Sequence, residues 1–263
     1  GPFDERGLPL YDSGGKLVYL PVFLCFWGLG QLDIYRETKE QAHMDNFMKV
    51  VRWLSENQRP QGDWISTVSM PKFGLTGPHP SAMVQGLAIS CLVRGYHITS
   101  EDGLLQAAIE ALKPFHLKVS DGGVTTYHRD LSFYEEYPAE PAHHVLNGFI
   151  YSLWGLHDLA RCGNAEAEDL YKKGVLTLIA WLPRYDIGYW SLYHVNDGPR
   201  NPASIHYHRL HIDQLDVMQT LTGDKTIAEY HERWKKYLNS RLGALRTLPA
   251  KLRWRFLYTP AKG

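Results

Sequence analysis

The stretch His144-Val145-Leu146-Asn147-Gly148-Phe149-Ile150-Tyr151-Ser152-Leu153 opens a helix that is apolar almost all round, and the chain repeats the arrangement. Apolar helical segments begin near Leu20, Ala82, His144 and His206, each about 62 residues after the last. Gln85-Gly86 falls in register with Asn147-Gly148, and Ser90 with Ser152. A fixed period of this length marks stacked helical hairpins. Each apolar segment is followed, after a short break, by a second helix: 20–37 with 40–57, 82–98 with 101–115, 145–161 with 165–182, and 208–221 with 226–242.

The two members of a pair differ in pattern. First helices carry Val22, Phe23, Leu24, Cys25, Phe26, Trp27 and Leu29, or Phe149, Ile150, Leu153, Trp154 and Leu156, the pattern of a helix buried on all sides. Second helices show one stripe, Met44, Phe47, Met48 and Val51, or Ile227, Tyr230, His231 and Trp234, and belong to an outer layer. Ser100 and Asn164 read as N-caps ahead of acidic first turns. Four inner and four outer helices closing on themselves predict an all-α fold, an (α/α)4 barrel or toroid. Gly1-Pro2 resembles a tag scar, leaving residues 3–263 as one domain.

Composition narrows the function. Lys plus Arg equals Asp plus Glu at 28 each, so a polyanion must be held by a local basic patch, and bulk nucleic-acid binding is not expected. The most apolar run, residues 17–29, is shorter than the roughly 18 residues a membrane span needs. Nothing at the N-terminus resembles a signal, and the sequence leaves localisation open. Cys25, Cys91 and Cys162 have no CxxC spacing and read as buried free thiols.

Connections between pairs are long, at 59–80, 118–143 and 183–204, and loops of that length in a compact domain are usually functional. All three enter inner helices at their N-termini and therefore share one rim. Residues 123–127 and 189–193 alternate like short hairpins walling a cleft, and the basic, aromatic segment 251–258 reads as a last helix or packing arm. The rim gathers Ser81, Gln85, Glu135, Glu136, Tyr137, His143, His144, Asn147, Tyr193, His206, Tyr207, His208, Arg209 and His211, with Trp64, Phe133 and Trp190 as aromatic lining. Carboxyl, phenol, imidazole and guanidinium groups in an aromatic groove suit sugar binding and acid/base work.

Several alternatives stand beside that reading. His206, His208 and His211 invite a metal, but residues two apart on a helix diverge and no HExxH pattern is present, so no metal is expected. His211 alone reads as an interior, hydrogen-bonded histidine. Arg209 reads as a carboxylate clamp, given its planar fork. Glu136 could be a loop ion pair, and Tyr137, Tyr193 and Tyr207 could be packing. No Gly-x-Ser-x-Gly elbow, phosphate loop or dinucleotide fingerprint is found, while two carboxyls alone also fit a glycosidase pair.

Glu135-Glu136-Tyr137-Pro138 followed by His144-Val145-Leu146-Asn147-Gly148 resembles the C-terminal domain of the D-glucuronyl C5-epimerases. So do Ser81-Ala82-Met83-Val84-Gln85-Gly86, Leu92-Val93-Arg94, Tyr185-Asp186-x-Gly188 and Tyr207-His208-x-x-His211-Ile212-x-Gln214-Leu215. The resemblance spans about residues 19–238. It implies an isomerase that turns glucuronate into iduronate within heparosan or heparan-type chains, an acidic polysaccharide as partner and no cofactor. It also implies catalytic roles for Glu136, Tyr137, Tyr193 and Tyr207. The reaction makes an enediolate, so cationic or hydrogen-bonding partners are needed at the substrate carboxylate; Arg209, His208 and Arg200 are the candidates, with Gln85, Asn147, His211, Trp190 and Glu135 as further substrate contacts. Glu136 and Tyr207 are the expected two bases, with Tyr137 and Tyr193 assisting. The chain departs from the family in His194, where an acidic residue is common, and in a short 193–207 loop. Animal relatives carry β-rich N-terminal domains that contribute to dimerisation, so this chain reads as a minimal form or a fragment, with a homodimer among the expected assemblies. A uronan lyase and a non-catalytic uronan-binding module are the competing functions.

Overall fold

A computed structural model describes residues 1–240. The segment 251–258 and the last two residues of the expected 226–242 helix lie outside the described residues. Four helical hairpins form the body, as the period requires: α1 (Pro21–Thr38) with α2 (Gln41–Asn57), α3 (Ala82–Thr99) with α4 (Asp102–Glu110), α6 (Leu146–Ala160) with α7 (Ala165–Tyr185), and α8 (Ile205–Thr222) with α9 (Lys225–Asn239). A one-turn helix, α5 (Lys113–His116), follows α4. The expected 101–115 helix breaks there because Pro114 has no amide hydrogen for an intrahelical bond.

Inner helices pack in the order α1, α3, α6, α8, with α2, α4, α7 and α9 outside their partners. α3 and α6 lie closest, and glycine makes that approach available: a Cβ on Gly155 would sit 2.1 Å from the Gly86 carbonyl oxygen. α3 is buried almost all round, as expected. α1 departs from that expectation, with Phe23 and Phe26 each 38% exposed, because it ends the arc and has only one inner neighbour packed extensively against it. The outer stripe Ile227, Tyr230, His231 and Trp234 is buried as read. Asn164 caps α7 by accepting from the Ala167 amide at 2.8 Å. Ser100 does not cap α4; at φ 59° it ends α3 in the left-handed region, and its amide donates to the Tyr96 carbonyl, a C-terminal device.

Three two-stranded hairpins decorate the rim. β3 (Thr125–His128) pairs with β4 (Leu131–Tyr134), and β5 (Leu192–His194) pairs with β6 (Asn201–Pro202), both in segments expected to be strand-like. β1 (Tyr11–Ser13) and β2 (Lys16–Val18) form an unexpected hairpin before α1, turning at Gly14 and Gly15, both at positive φ. Among the described residues no helix is long and apolar enough to cross a membrane. Cys25 and Cys91 are buried free thiols as expected, whereas Cys162 is only half-buried.

The rim loops are tied down by specific bonds. Arg59 grips buried Asp63 with two hydrogen bonds of 2.7 and 2.8 Å. Gln85 donates to the carbonyls of Gly62 (2.9 Å) and Ala111 (3.0 Å), locking the 59–80 loop to α3. Gly62 at φ 81° is required, because a Cβ there would meet the Glu110 carbonyl oxygen at 2.0 Å.

Candidate active site

Segment 135–138 runs between the N-termini of α3 and α6, and neighbouring residues in it face opposite ways. The Glu135 carbonyl accepts from the Ala82 amide at the head of α3 (2.9 Å). Its carboxylate turns back toward β3 and accepts from the Thr126 hydroxyl (2.6 Å) and the His144 amide (3.1 Å). His144 Nδ1 also lies 2.6 Å from Glu135 Oε1, an ion-pair approach out of line for a hydrogen bond. Glu135 is thus a buried strut, saturated by its own loop.

Glu136 faces the head of α6. The Asn147 amide donates to its Oε2 (3.3 Å), and the Gly148 backbone amide and the Tyr137 phenol are near enough to favour its charged form. A Cβ at position 148 would lie 2.4 Å from Glu136 Oε2, so glycine there makes room for the carboxyl. Burial is the largest influence and raises the pKa to about 7, against the pull of Tyr137, Lys72, Asn147 and Gly148. Desolvation disfavours the carboxylate more than the donors favour it.

Three phenols continue from that carboxyl. Tyr137 lies next to Glu136 and acts on it, Tyr193 acts on Tyr137, and Tyr207 acts on Tyr193. The rings of Tyr193 and Tyr207 meet edge-on with centroids 4.6 Å apart. Burial raises all three pKa values above the ordinary phenol, and the Glu136 charge adds to each. Phe73, from the 59–80 loop, stacks on Tyr137 at 4.0 Å. Each long loop therefore contributes one wall: Phe73, Tyr137 and Tyr193, closed by Tyr207 from α8.

Glu136 and Tyr137 also line a cavity of about 190 Å³ with Tyr11 of β1, Ser66, His79 and Ser81. His79 is buried and its Nδ1 lies 3.0 Å from the Gly77 carbonyl, which leaves Nε2 as the ring nitrogen for the cavity. Lys72, in a single 3-10 turn (Pro71–Phe73), sets its ammonium 4.8 Å over the Phe73 ring. The residue as a whole is exposed, yet desolvation of the ammonium lowers its pKa while Glu136 pulls it upward. Lys72 is the cation acting on Glu136.

The structure brings Glu136, Tyr137, Tyr193, Tyr207 and Asn147 together, keeps Ser81 on the same cavity and His143 against Phe73, and leaves Gln85, Arg209, Trp190, His208, His211 and Arg200 elsewhere. Gln85 spends its amide donors on two backbone carbonyls. Arg209 lies on the exposed stripe of α8, two residues from Tyr207 and hence on another face. Trp190 is buried, stacks on His208 at 3.8 Å and donates to the Ala203 carbonyl at 2.9 Å. His208 Nε2 lies 3.2 Å from the Trp234 carbonyl, and Ser191 Oγ lies 2.8 and 3.0 Å from Nδ1 of His208 and His211. Burial lowers the two pKa values to about 4 and about 3, so both imidazoles are neutral struts near neutral pH. Arg200 borders a separate depression across β5. Trp64 and Phe133, expected as cleft lining, are fully buried in the core; the lining rings are Phe73 and the phenols instead. Lys72, Phe73, His79 and Tyr11 were not singled out from sequence, and only Pro71-Lys72-Phe73, in a long rim loop, carried any signal for them.

The hairpin stack, with a carboxylate and three phenols at the N-terminal ends of its inner helices, defines an all-α domain with a candidate acid/base cluster on one rim. The chain belongs to the D-glucuronyl C5-epimerase C-terminal domain family, whose model, described as D-glucuronyl C5-epimerase C-terminus, matches residues 58–236. It is 34% identical over 231 residues to the D-glucuronyl C5-epimerase of Caenorhabditis elegans, an alignment covering 79% of this chain and 38% of that protein. An uncharacterized protein of Methanocaldococcus jannaschii is 30% identical over 178 residues, covering 66% of this chain and 57% of the relative. The chain thus spans less than two thirds of the length of either. Cellobiose 2-epimerase from Bacillus thermoamylovorans B4167 shares the fold, with a TM-score of 0.61 at 10% identity over 83% of this chain and 59% of that one.

Proposed function

We propose that the chain inverts C5 of D-glucuronate to L-iduronate within a heparosan or heparan-type polymer, by proton transfer without a dissociable cofactor. The observation that carries this reading is a buried carboxyl with a pKa near neutrality at the head of a file of three mutually interacting, buried phenols. Family membership and the name of the nematode relative support it.

C5 is α to a carboxylate, so loss of its proton places charge on the carboxylate oxygens as an enediolate, which a cation must meet. Lys72 takes that part, at the edge of the Phe73 and Tyr137 wall. Glu136 is substantially ionised near pH 7 and removes the C5 proton. Tyr207, kept as a phenol by burial, delivers its proton to the opposite face. One C5–H bond breaks and one forms, leaving Glu136 protonated and Tyr207 as phenolate. Proton transfer along Glu136, Tyr137, Tyr193 and Tyr207, with exchange against solvent between turnovers, restores both groups.

The test is product analysis after incubation with heparosan and with its N-sulfated form. Iduronate without unsaturated uronate ends is the expected outcome. Unsaturated ends would show that the intermediate expels its 4-O substituent, making the chain a lyase; intact glucuronate on both polymers would reject catalysis on these substrates.

A further inference from the structure

Beside β5 lies a depression of about 320 Å³ lined by Arg184, Leu192, His194, Asn196, Pro199 and Arg200, among others. Leu192 and His194 of β5 border this depression, at the point where the β5–β6 register shifts, while Tyr193 between them meets Tyr207. Arg184 is exposed, with its guanidinium carbon 4.0 Å over the buried Trp181 ring. Stacking of this kind holds the planar head in place while its N–H edge stays free. Arg200 is exposed at the end of the 183–204 loop.

Neither arginine has a carboxylate partner among the described residues. Asp186, the acid nearest Arg184 in sequence, is taken by Arg233 at 3.3 Å and by the Tyr237 hydroxyl. Glu135 is held by the Thr126 hydroxyl and the His144 amide. Two guanidiniums converging on one concave polar surface, one held by an aromatic ring and both lacking an internal counter-charge, make an anion site. In a chain with no net charge, local cations are also the available means of holding a polyanion.

We propose that Arg184 and Arg200 form a second subsite that takes the carboxylate or sulfate of a sugar flanking the reacting residue, on the β5 side of the cleft. The proposal rests on the polymer-epimerase reading and deepens it: the domain recognises at least two acidic groups, and discriminates polymer from free uronate.

Calorimetric titration with a heparosan hexasaccharide at several salt concentrations tests it, comparing wild type with Arg184→Gln/Arg200→Gln and with Arg161→Gln, an exposed control on another face. The double variant is expected to weaken hexasaccharide affinity about tenfold or more per arginine. The slope of log affinity against log salt should shrink by about two, one ion released per arginine. Arg200→Gln alone, a loop change, should give about half the effect should the double variant fold poorly. Equal affinity and an equal salt slope in wild type and double variant would overturn the subsite, as would failure of wild type to bind the hexasaccharide. The epimerase reading is scored independently, by iduronate formation in the wild-type protein.

Discussion

Glu135 and Glu136 are adjacent, both carboxylic and both buried, and their surroundings give them different work. Glu135 is satisfied by Thr126 and His144, whereas Glu136 has weaker donors against strong desolvation and titrates at about 7. If Glu136 is the base, exchange activity should climb with pH through an apparent pKa near 7, and Glu136→Gln should lose about 10²–10⁴-fold. Stability runs the other way. A carboxyl raised from 4.5 to about 7 on folding binds more protons when folded, so the protein loses stability as pH rises through that window, by up to on the order of 3 kcal/mol. Glu136→Gln should therefore be more stable than wild type at pH 8 and nearly equal at pH 4, as thermal melts at both pH values would show. His208 and His211 have the opposite sign: their depressed pKa values give stability present above about 6.5 that is lost as pH falls through about 4 and about 3. His208→Gln should flatten the acid limb of that profile.

At this scale the site was partly legible. Glu136, Tyr137, Tyr193 and Tyr207 came from motif resemblance plus their shared rim, and the structure adds the contacts that connect them. The helical geometry that separates Arg209 from Tyr207 could have been applied from their two-residue spacing. Lys72 could not have been found this way, because a single lysine in a long loop has no periodicity, and its role depends on the Phe73 ring that carries it.

Elements position these side chains through close backbone approach. The heads of α3 and α6 converge on residues 135–136, and the helices stay close because Gly86 and Gly155 meet. Gly155→Ala should cost about 1–3 kcal/mol by overpacking, measured as a lower denaturant midpoint. Gly148→Ala presses on the carboxyl itself, so exchange should fall about tenfold or more with a smaller loss of stability, and Glu136 should report a shifted pH profile. The hairpin stack was readable because apolar faces recur with a fixed period and the outer helices keep a clean stripe. What escaped were short features set by single residues: the β1–β2 hairpin at Gly14-Gly15, the break at Pro114, and the left-handed Ser100. None has a period, and each depends on a local backbone choice.

Across the whole molecule, charge and cavities sort the two ends. The larger cavity, about 550 Å³, opens at the C-terminal ends of the inner helices and is walled by Phe26, Tyr151, Trp154 and Val217. Its Arg94 and Asp158 neutralise one another at 2.6 Å, with Ser90 bonded to the same carboxylate, and its Asp33 and Arg36 pair at 3.1 Å. The smaller rim cavity holds Glu136, whose raised pKa marks it as the functional-site candidate. The most direct measurement of the central claim is NMR of C5 deuterium in heparosan incubated in heavy water with wild type and with Tyr207→Phe. Wild type should place deuterium at C5 of iduronate, and Tyr207→Phe should lose that incorporation because the opposite-face donor is gone; full incorporation by Tyr207→Phe would contradict the two-residue account.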